Sequence, residues 1–326
     1  MNGSSFLFTF TVYGAIGPAK DMYFAIIFVT YLVSVVINIA LMALICLDTS
    51  LHKPMFIFLC SVILNGLIGS TAVWPKVMSH LATDIHSVSF EICFIQTFFS
   101  CAYGGCNFFM LTVMAYDRYV SIFQPLLYHT IMTPQKVKVL VVVGNLLPAV
   151  AVFTQLCLTS RIPLCRYSIP KIFCDNLAVL NLGCVRNNYS LMTNVFGVCM
   201  FGLFLVVPIL LVLWSYLKII ILTSKLSADA RRKTFATCTP HIIIFLNFTL
   251  SSLFSLIYNR VDAANLPKEG HIFVSALYII VPPLLHPIVY GMKNKEIRRS
   301  LLKITGTVFP LHRHNFQLRS TVIPYS

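Results

Sequence analysis

The chain has 326 residues, of which 58% are hydrophobic and only 10% charged, with mean hydropathy +0.83 and a formal net charge of +14. A soluble domain carries about 25% charged residues. Too few are present here to coat a water-facing surface, so a soluble enzyme or soluble binding domain is excluded.

Residues 1–19 lack a basic segment of the kind that opens a signal peptide, so the first apolar run is expected to act as its own insertion signal. Asn2-Gly3-Ser4 is a glycosylation tripeptide in this stretch, and Asn188-Tyr189-Ser190 is a second one later. Charge-free runs follow at Met22–Leu47, Pro54–Pro75, Ile92–Tyr116, Val139–Ser160, Leu191–Leu217, Thr234–Asn259 and His271–Met292. Each exceeds the roughly 18–20 residues a helix needs to cross the hydrocarbon core. Strict alternation is absent and the runs are too long for membrane strands, so helices are expected rather than a barrel. The fold class is all-α, a seven-transmembrane helix bundle.

An odd number of spans puts the termini on opposite sides. With the N-terminus outside, eight bases (Lys20, Lys76, Arg161, Arg166, Lys171, Arg186, Arg260, Lys268) face outward and the other sixteen of the 24 face inward. The positive-inside rule therefore favours N-terminus outside and C-terminus inside. The basic excess then faces anionic cytoplasmic lipid, and no nucleic-acid partner is expected. Three regions follow: an extracellular N-terminus 1–21, the membrane domain 22–292, and a cytoplasmic tail 293–326. In the tail, Ile297, Leu301 and Ile304 recur at helical spacing among bases, which predicts a short amphipathic helix on the membrane surface. His312-Arg313-His314 is read as solvated tail rather than as a metal site; no metal or cofactor is expected.

Cys93 stands at the outer end of the third run, and Cys165, Cys174 and Cys184 lie in the long outer loop between the fourth and fifth. Four cysteines on the oxidising side pair in any of three ways. A bridge from Cys93 to the loop would pin it over the bundle mouth. The remaining seven cysteines read as small apolar packing residues.

The third run ends at Met114-Ala115-Tyr116-Asp117-Arg118-Tyr119-Val120, where an acid and a base arrive together at the membrane boundary. Such a pair is costly unless paired or hydrated. Taken alone it reads equally as a helix stop or as a functional switch.

Those residues resemble the MAYDRYV signature of the olfactory receptors, within the rhodopsin-like class A of G-protein-coupled receptors. The likeness runs nearly end to end. It includes Asn38, Leu51-His52-Lys53-Pro54-Met55-Phe56, Pro75-Lys76, Gln124-Pro125-Leu126-Leu127-Tyr128 and Ser215-Tyr216. It continues through Lys233-Thr234-Phe235-Ala236-Thr237-Cys238-Thr239-Pro240-His241 and Pro282-Pro283-Leu284-Leu285-His286-Pro287-Ile288-Val289-Tyr290. Leu64-Asn65-Gly66-Leu67 and Asn247-Phe248-Thr249 look more like the fish odorant receptors than the mammalian ones. The resemblance implies disulfides Cys93–Cys174 and Cys165–Cys184, a plasma-membrane location, and coupling to a stimulatory heterotrimeric G protein that raises cAMP. Two departures stand out. Gly66 replaces the family's usual Asp and His286 its usual Asn, which removes the anionic carboxylate that a sodium site prefers. The sixth helix carries Asn247-Phe248-Thr249 where the class has an aromatic-glycine motif, so that motif's switching role does not transfer directly.

The resemblance assigns Asp117, Arg118 and Tyr119 to the G-protein switch. Asp117 would hold the Arg118 guanidinium at rest, and the Tyr216 and Tyr290 hydroxyls would stabilise it once moved. Pro208 and Pro287 would permit bending. A small organic odorant is expected between facing helices in the outer half of the bundle. Its lining would come from Ser100, Cys101, Gly104, Gly105 and Phe108 on the third helix and Met200 and Phe204 on the fifth. Thr249 and Ser252 on the sixth and Ala276 and Ile279 on the seventh would complete it. No acid stands near Ser100 to pair an amine, and no lysine lies between His271 and Met292 to carry a retinal Schiff base. The ligand is therefore expected to be largely uncharged. A seven-helix transporter or channel is the alternative, against which no internal repeat and no midplane charge are found. An intramembrane enzyme lacks any nucleophile motif.

Overall fold

The computed structural model describes residues 7–83, 85–184, 188–260 and 268–308. After strand β1 (Leu7–Phe10) come α1 (Lys20–Leu47) and α2 (Pro54–Ala82). Strand β2 (Ser87–Ser89) leads into α3 (Phe90–Phe123), and the short α4 (Tyr128–Ile131) connects to α5 (Pro134–Thr159). The long loop carries β3 (Ser168–Ile169) and α6 (Asn176–Leu180). The fifth span joins α7 (Asn188–Phe201) to α8 (Val207–Thr223) through a π-helical turn at Gly202–Val206. The sixth is α9 (Ala228–Arg260); α10 (Lys268–Ile279) and α11 (Val281–Lys293) form the seventh; α12 (Lys295–Val308) follows. Among the described residues, seven helical stretches are long and apolar enough to cross a membrane.

Helix starts follow local chemistry. Pro54 and Pro134 occupy first helical positions, where a missing N–H costs nothing. Thr133 and Ser89 cap α5 and α3 with side-chain oxygens. Prolines inside the spans free carbonyls one turn back, and polar side chains collect them. Pro287 cannot bond the carbonyl of Pro283, and Asn38 Nδ2 donates to that oxygen at 2.8 Å. Pro282 frees the carbonyl of Tyr278, which accepts from the Tyr103 hydroxyl at 3.3 Å. Pro208 leaves Phe204 without its helical donor, and the π turn falls at that place.

The most apolar stretch of α3 is 61% buried, against 22% in α1 and α5 and 17% in the fifth span. The third span is therefore the bundle axis. The large exposed apolar residues of α1, α5 and the fifth span, such as Val36, Leu146 and Leu210, face where lipid would be.

One end of the bundle is closed by a lid. Strand β1 pairs antiparallel with β2 (Leu7 opposite Ser89) and parallel with β3 (Thr9 opposite Ser168). Disulfides join Cys93 to Cys174 and Cys165 to Cys184, and the Tyr13 hydroxyl donates to the Ile172 carbonyl. Phe8 and Phe10 are buried in one cluster with Trp74, Val77 and Ile279. At the other end α12 is capped by Asn294, whose Oδ1 accepts from the backbone of Glu296 and Ile297. Ile297 is fully buried there. The Lys53–Glu296 pair, 2.7 Å apart, is half-exposed and worth no more than about 1 kcal/mol. Of the two glycosylation tripeptides, Asn2 lies outside the described residues and Asn188 opens α7. Residues 309–326, with His312 and His314, also lie outside them.

Candidate functional site

The polar machinery sits at the end opposite the disulfides. Asp117 is 1% exposed. Its closest partner is Tyr128, whose hydroxyl donates to Oδ1 at 2.6 Å from α4. Arg118 Nε stands 3.9 Å from Asp117 Oδ2, a loose ion pair rather than a bidentate clamp. Asp117 pairs with Arg118 as expected from sequence, but the carboxylate is shared, and its tighter bond goes to the turn. Tyr128 lies outside the spans. Burial first, and then the Asp117 carboxylate beside it, push its phenol well above the ordinary range, so it stays a donor. Tyr119 stacks on Phe123 at 4.3 Å and leans on Trp214 at 5.7 Å, which makes it a packing contact between α3 and α8.

Tyr216 does not meet Arg118 in this arrangement. Its hydroxyl lies 2.6 Å from His241 Nδ1, and His241 Nε2 lies 2.9 Å from the Leu111 carbonyl. A carbonyl only accepts, so Nε2 carries the proton and Nδ1 accepts from Tyr216. One buried imidazole thus ties α3, α8 and α9 together. Tyr290 is fully buried, and its hydroxyl, like Arg118 Nε, has no hydrogen-bond partner among the described residues.

Above this level an aromatic group fills the axis. Phe248 is fully buried, with ring centres 4.8 Å from Phe108, 5.5 Å from Tyr103 and 6.2 Å from Tyr278. It stands in the Asn247-Phe248-Thr249 segment that replaces the aromatic-glycine motif. Gly66 is explained by its neighbour: a Cβ there would lie 3.1 Å from Pro283 Cγ. A side chain at this position would have to push α11 back by a few tenths of an ångström. Asn38, Ser70 and His286 offer no anionic oxygen, so these residues do not fit a sodium ion. His286 is buried with both ring nitrogens unpaired among the described residues.

The expected ligand lining divides. Tyr278 leans over Gly104, where a Cβ would lie 2.5 Å from its hydroxyl. Phe204 and Phe108 are buried, Met200 and Ala276 partly so, and Thr249 is buried with its hydroxyl unpaired among the described residues. Ser100 and Ser252 spend their hydroxyls on backbone carbonyls of their own helices, Thr97 and Phe248. Cys101 is partly buried and unbonded to another cysteine. Two of the residues pack against neighbouring helices. Gly105 turns toward α5, where a Cβ would lie 3.0 Å from Pro148, so it permits close helix packing. Ile279 is fully buried in the cluster with Val73 and Trp74 of α2. The residues that sequence reasoning left without a role are Tyr103, Tyr128, His241 and Tyr278, and in the lid Lys171 with Asp175. For Tyr103, His241 and Tyr278 the available signal is a polar aromatic or histidine inside a charge-free run; Tyr128 lies between runs.

A seven-helix bundle with a lid over one end and a buried acid–base pair at the other defines a rhodopsin-like seven-transmembrane fold. The crystal structure of squid rhodopsin superposes with TM-score 0.67 at 15% identity, covering 89% of this chain and 87% of that one. A family model for olfactory receptors matches residues 27–307. Human olfactory receptor 52D1 is 34% identical over 276 residues, 84% of this chain and 86% of that protein. Human olfactory receptor 10J1 is 30% identical over 306 residues, 93% of each. The chain belongs to the olfactory receptor family. It is a multi-pass plasma-membrane receptor and not an enzyme, and family membership implies a small-molecule ligand and a G-protein partner. The transporter, channel and intramembrane-enzyme readings are set aside with it.

Proposed function

We propose that this receptor binds a small, largely uncharged odorant in the disulfide half of the bundle and activates a stimulatory heterotrimeric G protein, raising cAMP. The observation that carries the reading is the buried network at the opposite end. Tyr128 holds Asp117, and His241 holds Tyr216 and the Leu111 carbonyl. Each bond crosses between elements that must part for a partner to enter. Separation of α9 from α3 would break the His241 bond to Leu111 and release the Tyr216 hydroxyl toward Arg118. That cation, already short of partners, would then face the G protein. Phe248 supports the link to the ligand half, because it touches α3 and α10 and shares one face of α9 with His241.

The test is ligand-evoked cAMP in cells expressing the receptor at measured surface density. Arg118→Ala is expected to abolish the response while leaving the protein at the surface. A full response from Arg118→Ala, or a ligand response that persists without a stimulatory G protein, would overturn the reading.

A further inference from the structure

The lid end holds two histidines that the switch does not use. His80 stands in the last turn of α2 and is 1% exposed. Its Nδ1 lies 2.7 Å from the Ile85 carbonyl. A carbonyl only accepts, so Nδ1 carries the proton and Nε2 is left as a bare lone pair. That Nε2 is buried and has no hydrogen-bond partner among the described residues. His86, immediately before β2, is partly buried, and its Nδ1 is likewise buried and unpaired among the described residues. With the His86 proton on Nε2, two imidazole lone pairs lie in one corner of the lid. Buried acceptors left without a partner are destabilising, so an electron-pair acceptor placed between them would stabilise the lid.

The ring separations suit a single ion. The two imidazole centres are 6.4 Å apart. A zinc–nitrogen bond of about 2.0–2.1 Å puts the metal about 3.2 Å from the centre of an imidazole ring. One ion between the rings therefore meets both bond lengths. The Tyr13 ring centre is 5.1 Å from His80 and 5.4 Å from His86, so the midpoint is about 4.2 Å from it and clear of that ring. The Ile85 carbonyl does what carbonyls do behind metal-bound histidines: it fixes the tautomer and the direction of the ring. Among the described residues no acid or cysteine joins the pair. Two neutral imidazoles suit zinc or copper(II), and not calcium or magnesium, which need oxygen ligands. Lys76, one turn before His80, is within electrostatic reach and opposes a further positive charge, which keeps the site weak.

We propose that His80 Nε2 and His86 Nδ1 form a two-histidine site for a divalent transition metal of the zinc and copper class, with water completing its coordination, and that the ion clamps the lid. The His86 backbone carbonyl accepts the Phe10 N–H of β1 at 2.8 Å. Phe10 and Tyr13 pack their rings on His80. An ion that ties the end of α2 to His86 therefore holds the residue to which β1 is bonded. The site needs no odorant, so its test is independent of the coupling reading.

The experiment titrates the purified full-length receptor, in detergent and without odorant, with zinc, copper(II) or magnesium chloride. With two of the four ligands of a structural zinc site, wild type is expected to half-saturate at about 1–100 µM zinc. Copper(II) should bind more tightly, and magnesium should have no effect. Saturating zinc should raise the melting temperature by about 2–5 °C and slow hydrogen exchange at Thr9, Phe10 and Thr11 severalfold. His86→Gln, at a partly exposed position, should weaken zinc binding at least about tenfold, the loss of one of two ligands, and remove the change in β1 exchange. His80→Gln should do the same; if it does not fold, His86→Gln decides. The tail variant His312→Gln/His314→Gln should bind zinc as wild type does. The inference is overturned if wild type shows no zinc-dependent heat or melting shift up to about 1 mM, a limit of very weak affinity. Unchanged binding in His86→Gln, or binding lost with the tail histidines, shows an adventitious ion only and overturns it as well. Zinc binding that leaves β1 exchange untouched overturns the clamp.

Discussion

Asp117→Asn isolates the charge of the switch from its hydrogen bond. The asparagine oxygen still accepts from Tyr128, so the link between α3 and α4 is retained, and only the attraction for Arg118 is lost. At 3.9 Å two unit charges attract by about 4 kcal/mol with an effective dielectric of 20. Asp117 is almost fully buried and Arg118 keeps 18% of its side chain exposed. Hydration of the guanidinium and the poor alignment reduce the net value to about 1–2 kcal/mol. A resting state favoured by a few kcal/mol would then lose about one power of ten in its advantage, since each 1.4 kcal/mol is tenfold. Basal cAMP per receptor at the surface should rise roughly tenfold, short of the fully stimulated level. The assay is agonist-free cAMP against surface density across a range of expression. Basal signal equal to wild type at matched density would refute the reasoning, because the acid would then be a helix-end residue with no hold on Arg118.

Gly66→Asp should not restore a family-like cation site. Its Cβ would press on Pro283 from 3.1 Å, so overpacking of about 1–3 kcal/mol is expected, read as a lower melting temperature in detergent that added sodium does not recover. A wild-type melting temperature would show that α11 yields freely. At the other contact of the tail, Asp48 lies at the end of α1, where the Ser300 hydroxyl, then Ser50, hold its carboxylate down to about 2. The folded value is depressed below the ordinary one, so its contribution is present above about pH 4 and is lost as pH falls through about 2. Protection of α12 from hydrogen exchange, after correction for intrinsic rates, should therefore be flat between pH 5 and 8. A loss of protection near pH 6 would show that some other group docks the helix.

The spans were legible because charge-free runs of this length have one physical solution in lipid. Their ends were less so. The third run stops at Tyr116 by charge, yet α3 continues to Phe123, and the acid–base pair lies inside the helix. Burial of Asp117 under Tyr128 makes that extension tolerable, and a partner eleven residues away across a turn leaves no periodic trace. The same holds for His241, whose two partners are 25 and 130 residues distant. Lys171 and Asp175 have the spacing of a helical pair, but no helix runs there; their meeting depends on the lid's own path, fixed by Cys174 and the α6 cap. Gly66 read as a missing acid, and became intelligible only once Pro283 was found against it.

What joins the two ends is the geometry of α9. Ser252, Phe248, Phe245 and His241 are separated by four, three and four residues, so they share one helix face. Phe248 and His241, seven residues apart, are about 10.5 Å distant along the axis at 1.5 Å per residue. One belongs to the aromatic group beneath the expected ligand site, the other to the bond with Leu111 and Tyr216. A rotation of α9 that relieves Phe248 against Tyr103 and Tyr278 moves His241 in the same sense. A hydrogen bond of 2.9 Å to a fixed carboxamide oxygen tolerates only a few tenths of an ångström before it weakens. On the reading proposed above, the stiffness of a single helix would couple a small displacement of Phe248 to the bonds that His241 makes with Tyr216 and Leu111.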